Sequence, residues 1–186
     1  MRSRLALSLL FAATALSAGE PSPPGSITFE AKNVFSTAHG SFRNWRVVRA
    51  QIDPAAPKQG AVEVEVDVAS LETGIERRDN HLRTADFFDV ERFPTAYVRV
   101  HDAEPNGKSE RGNPRYRAKF DFDIHGVKKT LDGDFEVTQA SPPTVEGGLT
   151  LNRVDFRIGE PYSWYIPGSI AEEVPVHFRA TLPPVR

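Results

Sequence analysis

The stretch YRAKFDFDI, residues 116–124, alternates apolar and charged side chains at every position. A β-strand places successive side chains on opposite faces, so this period of two predicts a half-buried strand. The stretch VEVEVDV, residues 62–68, repeats the pattern with valine in one phase and carboxylates in the other. Both segments therefore predict strands with one apolar face and one charged face.

Weaker alternation recurs along the rest of the chain. These segments are residues 27–31, 48–52, 96–100, 131–137, 149–156 and 174–182. The total of about eight strands is the size at which a closed sheet encloses its own side chains or one small ligand. Because a charged face is not buried without partners, the apolar faces are predicted to point inward.

One long stretch, residues 70–94, carries no alternation. Residues 76–83 within it predict a short helix, and Pro94 marks the return to an extended path. The predicted fold is all-β, an antiparallel barrel of about eight strands with a short helix between strands.

The first 25 residues differ in composition from the rest. Arg2 and Arg4 precede an apolar run at 5–16 and small residues at 17–18, which predicts a secretory signal peptide over residues 1–18. Residues 19–25, GEPSPPG, predict a Pro-rich tether, and residues 26–183 the domain. We therefore expect a periplasmic or secreted protein.

The overall composition excludes several classes of function. The chain has 186 residues, a net charge of −2 and no cysteine, so no disulfide, thiolate nucleophile or cysteine-based metal site is available. Nucleic acid is not expected as a partner, because such proteins carry a strong basic excess. The sequence leaves open peripheral contact with a membrane and a homodimer.

Candidate catalytic and metal-binding residues lack supporting patterns. The five histidines, at 39, 81, 101, 125 and 177, show no spacing that would place two metal ligands on one face. No nucleophile elbow or phosphate-binding glycine run is present. We predict no catalytic residue, no metal and no cofactor, and expect a protein that is not an enzyme. The candidate acid–base pairs are Asp79 with His81 and Asp155 with Arg153, but the sequence supplies no nucleophile elbow beside them. His39, Asp79 or His125 facing the barrel interior beside a carboxylate would argue otherwise.

The segment IERRDNHLRTADFFDVERFP, residues 75–94, allows two interpretations. It forms the mouth of a cavity if Phe87, Phe88 and Phe93 contact a buried chain. Arg77, Arg78 and Arg83 would then meet a polar or anionic head. It forms a plug if the phenylalanines close the barrel and the charged residues pair locally.

The same segment carries a resemblance to a known family. RRDNHLRTADFFDVERFPTAYV, residues 77–98, resembles the signature of the YceI-like family of polyisoprenoid-binding periplasmic proteins. VASLETG at 68–74, HGSFRNW at 39–45, DIHGVKKTL at 123–131 and LNRVDFRIG at 151–159 match further family motifs in order. The resemblance spans about residues 27–182.

This resemblance implies a lipocalin-like barrel whose elongated cavity holds an isoprenoid, an isoprenoid quinone or another long-chain lipid. The predicted ligand-binding residues are Phe29, Phe35, Phe42, Trp45, Phe87, Phe88, Phe120, Phe122 and Phe156. The same side chains are also suited to filling the barrel. In that alternative the chain is a secreted stress-response or interaction protein acting through surface loops, and an exposed apolar patch at residues 164–166 would favour it.

Overall fold

A computed structural model describes residues 24–53 and 56–183. The strands are β1 (Gly25–Lys32), β2 (Thr37–Phe42), β3 (Trp45–Gln51), β4 (Ala61–Asp67), β5 (Leu71–Glu72), β6 (Thr95–Lys108), β7 (Pro114–Ile124), β8 (Val127–Ala140), β9 (Pro143–Asn152) and β10 (Glu173–Thr181); the helix is α1 (Glu76–Arg83). The predicted signal peptide and residues 19–23 of the predicted tether lie outside the described residues.

All ten strands belong to one antiparallel sheet, in the order β3-β4-β6-β7-β8-β9-β10-β1-β2-β5. The strands at the two ends of this order are β3 and β5. Each extends the strand before it in the sequence, since β3 follows β2 after a bend and β5 follows β4 after a 3-10 turn. Two backbone hydrogen bonds join these bends, from Arg43 N to Ser70 O at 3.2 Å and from Asp67 N to Asn44 O at 2.9 Å. The sheet thus curls into a half-barrel. The all-β prediction is confirmed, and counting each bent pair as one strand gives the predicted eight.

The quoted stretch 116–124 lies in β7 and has the predicted orientation. Ala118, Phe120 and Phe122 are buried in the core. On the other face, Arg117 pairs with Asp134 at 3.1 Å and Lys119 with Asp132 at 3.5 Å, both across to β8. The charged phase of the strand is therefore outside, where its charges pair across the sheet.

The predicted phase of β3 is wrong at one position. Val48 was expected to point inward, but it is 43% exposed, whereas Trp45 is buried and Val47 packs against the core. A register shift against β4 between Val47 and Arg49 reverses the alternation. A single inserted residue leaves no mark in the hydrophobic pattern, so the sequence did not reveal it.

Helix α1 has the predicted bounds, residues 76–83. The Arg83 side chain links the last turn of α1 to the chain around β5. It donates hydrogen bonds to the backbone oxygens of Ala69, at 2.9 Å, and Leu71, at 2.6 Å. None of the helices in the described part of the chain is long and apolar enough to cross a membrane.

The strand register separates the connections into two groups at opposite ends of the half-barrel. The end that carries α1, here called the helix end, comprises residues 33–36, 68–94, 125–126 and 153–172. The opposite end carries the β3–β4 connection, of which residues 52–53 and 56–60 are described, and the shorter connections 109–113 and 141–142. Longer segments gather at the helix end, so this end has more freedom to shape a site.

Candidate ligand-binding site

A cavity of about 870 Å³ lies inside the curled sheet and opens at the helix end. Its walls are mostly apolar side chains from the inward phase of the strands, such as Ile27 and Phe29 of β1 and Val174 and Val176 of β10. From Ile27 to Lys32 the wall runs along β1 for about 16 Å, at roughly 3.3 Å per residue. This volume falls in the upper range of small-molecule sites, about 300–1,000 Å³. The interior is therefore not filled by side chains, contrary to the filled-barrel alternative.

Six of the nine predicted ligand-binding residues line this cavity. They are Phe29, Phe42, Phe87, Phe88, Phe122 and Phe156. Some of their rings are in contact, with centroids 5.6 Å apart for Phe29 and Phe42 and 6.2 Å apart for Phe122 and Phe156. The structure therefore brings together aromatic residues that lie far apart in the sequence.

The other three predicted residues lie elsewhere. Phe35 is in the turn between β1 and β2 and is 76% exposed, because its position falls beyond the end of the alternating strand. Trp45 and Phe120 are buried in the core and are not among the cavity-lining residues. Alternation identifies which face of a strand is inside, but it does not separate packed core from cavity wall.

The turn-rich segment at 75–94 contributes to the mouth of the cavity. Phe87 and Phe88 line the cavity together with Arg77 and Arg78, as the mouth interpretation expects. Phe93, in contrast, packs against His125 with ring centroids 4.5 Å apart. The segment thus combines the two interpretations, since part of it faces the cavity and part closes the sheet.

The charged residues that line the cavity are all basic. They are Lys32, Arg77, Arg78 and Arg153, and no aspartate or glutamate of the described chain lines it. Arg153 is 7% exposed, and its guanidinium donates to the backbone oxygens of Ile158 at 2.8 Å and Ile170 at 2.7 Å. Burial lowers the pKa of Arg153 from its usual range, while Glu172 and Glu160 act in the opposite direction. The guanidinium remains cationic, because an arginine pKa stays above neutrality.

The residues considered for acid–base chemistry do not meet in the cavity. His39 is on β2 with its side chain 74% exposed, and His125 donates a hydrogen bond from Nδ1 to Phe156 O at 3.1 Å. Asp79 is buried but bonds to the Thr73 amide at 2.9 Å. Asp155 pairs with Lys129 at 2.8 Å and not with Arg153. No two of these groups form a nucleophile–base pair.

The helix end also carries exposed apolar side chains. Trp164 is 83% exposed, Tyr165 71% and Ile166 53%, and they precede the cavity-lining residues Gly168 and Ile170. Val34 and Phe35 are also exposed, in the turn between β1 and β2. A hydrogen bond from Ala171 N to Lys32 O joins this turn to the loop between β9 and β10, which carries residues 164–166. Exposed apolar groups thus lie at the helix end, and the patch at 164–166 is the feature that the surface-loop alternative predicts.

A family model described as the YceI-like domain matches residues 23–182. The chain belongs to the YceI-like family. Curated relatives named UPF0312 protein include one from Pseudomonas savastanoi pv. phaseolicola, 29% identical over 134 residues, which cover 68% of this chain and 67% of the relative. Another, from Vibrio cholerae, is 33% identical over 79 residues, which cover 42% of this chain and 39% of the relative.

Solved structures share the YceI-like fold of this chain. BcnA from Burkholderia cenocepacia superposes with a TM-score of 0.71 at 24% identity, covering 83% of this chain and 94% of that one. A polyisoprenoid binding domain from Saccharophagus degradans, implicated in plant cell wall breakdown, superposes with a TM-score of 0.60 at 17% identity, covering 85% and 92%. These likenesses confirm the predicted lipocalin-like fold, and the family model confirms the predicted family.

Several cavity residues of this YceI-like chain were not predicted as ligand contacts. Ile158, Gly168 and Ile170 come from the loop between β9 and β10, which has no periodicity. Arg153 was considered only as a partner of Asp155. The apolar alternation of β10 could have identified Val174 and Val176 as inward-facing residues. The loop between β9 and β10 has no such pattern to identify its cavity-lining residues.

Proposed function

We propose that this protein binds and carries a long-chain apolar ligand, such as a polyisoprenoid or an isoprenoid quinone, inside the curled sheet. The observation that carries the proposal is the cavity of about 870 Å³ with an apolar wall and an opening at the helix end. Membership of the YceI-like family and the fold shared with a polyisoprenoid binding domain support it.

Burial of hydrocarbon supplies the binding energy in this proposal. Each Å² of apolar surface removed from water contributes roughly 25 cal/mol, so a chain of 200 Å² would gain about 5 kcal/mol before the cost of ordering it. The wall requires no directed polar contact along the tail. Aromatic rings such as Phe42 and Phe88, 6.2 Å apart and edge to face, offer flat apolar contact area.

The proposed activity is binding without catalysis. The cavity-lining side chains of the described chain include no carboxylate. A base oriented toward a nucleophile is the arrangement that covalent catalysis requires, and the described candidates do not form it. The ligand is therefore proposed to leave the cavity chemically unchanged.

We further propose that the protein acts in the periplasm and takes up its ligand at a membrane surface. The location rests on the signal-like pattern of residues 1–18. The membrane contact rests on Trp164, Tyr165 and Phe35, which are exposed around the cavity mouth. Tryptophan and tyrosine suit a membrane–water interface because each has an apolar ring and a polar atom.

Blocking the cavity tests the proposed function. Ala96 and Val176 line the wall, so Ala96→Trp and Val176→Trp would each place a large ring inside it. We expect both variants to lose binding of the neutral apolar dye N-phenyl-1-naphthylamine, measured by fluorescence titration, while retaining a β-sheet circular dichroism spectrum. The matched control is Val48→Trp, on the outer face of β3, which should bind as the parent does. Equal binding by all four folded proteins would overturn the proposal.

A further inference from the structure

The charges around the cavity are distributed unevenly. The four charged side chains that line it are Lys32, Arg77, Arg78 and Arg153, all of them basic. The whole chain, in contrast, has a net charge of −2. A cavity that followed the composition of the chain would contain carboxylates as well. The lining is therefore selectively cationic.

These basic residues lie together at the helix end and not along the apolar wall. Arg77 and Arg78 are in the first turn of α1, Lys32 ends β1, and Arg153 follows β9. Strand residues such as Ile27 and Val176 form the deeper wall. The site thus has an apolar length and a cationic end, which matches an amphiphile with one charged head.

Arg153 retains hydrogen-bonding capacity beside the cavity. Its Nε donates to Ala171 O at 3.0 Å, and each terminal nitrogen donates once, to Ile158 O and Ile170 O. A guanidinium has five N–H donors, so two remain beyond these three bonds. Glu172 and Glu160 are near enough to favour its charged form, but no carboxylate of the described chain forms an ion pair with it. A buried cation with unused donors favours an anion next to it.

The N-terminus of α1 adds a second donor group at the same place. The N-cap residue is Ile75, which lines the cavity and whose side chain cannot accept a hydrogen bond from the first turn. Two carboxylates, Glu76 and Asp79, already lie in this first turn, and Asp79 is bonded to Thr73. The uncapped N–H groups of the turn favour a further anion there. Arg77, in that first turn, forms no ion pair within the described chain, so its guanidinium is available to a ligand.

We propose that the cavity selects amphiphiles with an anionic head, a carboxylate or a phosphate, held by Arg77, Arg78 and Arg153 while the tail lies along β1 and β10. This inference rests on the proposed function, since it assigns the head group of the ligand that the cavity would carry. Charge-assisted hydrogen bonds from guanidinium groups supply the selectivity, and the apolar wall supplies affinity for any tail of suitable length.

A ligand series with one tail and different heads tests this selectivity. Hexadecanoate, hexadecyl phosphate and hexadecanol are each used to displace the neutral dye from the full chain at pH 7.5. We expect both anions to bind about tenfold more tightly than the alcohol, and their advantage to shrink as salt is raised. A preference between the two anions would identify the head chemistry. Equal affinities for all three ligands would overturn the inference and leave the proposed carrier function standing, whereas displacement by none of them would contradict both.

A charge-neutral variant assigns the effect to the cavity mouth. Arg77→Gln is suitable because a positive charge in the first turn opposes the helix dipole, so its loss should not weaken α1. We expect this variant to bind hexadecanoate several-fold more weakly and hexadecanol unchanged. The matched control is Arg157→Gln, an exposed arginine of the β9–β10 loop that does not line the cavity. An equal loss in both variants, or a loss for the alcohol as well, would overturn the assignment.

Discussion

The Asp79 carboxylate accepts a hydrogen bond from the backbone amide of Thr73 at 2.9 Å and also contacts the Thr73 hydroxyl. Arg78 donates to the same threonine, from Nη2 to its carbonyl oxygen at 2.9 Å. Asp79 is 7% exposed, so these bonds are shielded from water. They connect α1 to the chain that leaves β5, and they hold the arginine-bearing turn at the cavity mouth.

Removal of this buried acceptor should destabilise the protein. Asp79→Ala leaves the Thr73 amide without its acceptor, and an unsatisfied buried donor costs about 1–3 kcal/mol. The matched control is Asp86→Ala, whose side chain is 77% exposed and pairs with His81, and it should change the free energy of unfolding by less than about 0.5 kcal/mol. Urea denaturation measures both. Equal effects of the two substitutions would contradict the role assigned to Asp79.

Gly40 gives the ring of Phe29 its position on the cavity wall. A Cβ atom at residue 40 would lie 2.2 Å from Phe29 Cζ, so Gly40→Ala must displace the ring. We expect a loss of about 1–3 kcal/mol in stability together with weaker dye binding. Gly133→Ala is the control, because its Cβ would meet the core residue Phe120 at 2.8 Å. Gly133→Ala should lose stability but retain its affinity for the dye. If Gly133→Ala bound the dye more weakly and Gly40→Ala did not, the assignment of Phe29 to the cavity wall would be wrong.

The outer-face ion pairs should make stability depend on pH. Hydrogen bonds from Arg117 and Arg115 lower the pKa of Asp134 below its usual range. The stabilisation is therefore complete above the unfolded-state pKa, about 3.9, and disappears as pH falls through the lower folded-state pKa. Asp134→Asn should reduce the free energy of unfolding by up to about 1 kcal/mol at pH 7 and by less at pH 3.

Denaturation at several pH values checks this dependence. Asp132→Asn is the matched control, since this carboxylate is 70% exposed and its partner Lys119 is 3.5 Å away. It should show a smaller effect at pH 7. A difference between the parent and Asp134→Asn that grows toward acid would have the wrong sign for a lowered pKa.

Exposed aromatic residues at the cavity mouth should bind lipid bilayers. We expect the parent chain to sediment with phosphatidylcholine vesicles, and the double variant Trp164→Ser, Tyr165→Ser to bind at least about fivefold more weakly, because each ring offers some 150–250 Å² of surface. Val48→Ser with Tyr97→Ser, which removes exposed apolar groups from outer strand faces, is the control. Equal vesicle binding by both double variants would argue against a specific membrane contact.

The sequence revealed the fold in detail because one physical pattern repeats along it. Alternation in β4 and β7, with charges on the outward phase, identified the inward faces correctly, and α1 was predicted to the residue. The exception at Val48 has a definite cause, a bulge that shifts the phase without altering the composition. The strand predicted over residues 149–156 was also wrong at its end, because β9 stops at Asn152 and a 3-10 turn, Val154–Phe156, follows.

The site was less accessible to sequence reasoning. Aromatic residues on inward faces were good candidates, yet Trp45 and Phe120 pack in the core while small residues such as Ala96 line the cavity. Which inward side chains face empty space depends on the curvature of the sheet and not on their own type. Arg153 was missed for a related reason, since its position between β9 and β10 is set by backbone oxygens far along the chain.

Mass spectrometry of the protein's organic extract shows directly whether the cavity holds a lipid. The parent chain and Ala96→Trp are purified in parallel from the native host without detergent. We expect a single long-chain lipid in near-stoichiometric amount from the parent and its loss from the variant. Recovery of no lipid from the parent, or of equal amounts from both proteins, would contradict it.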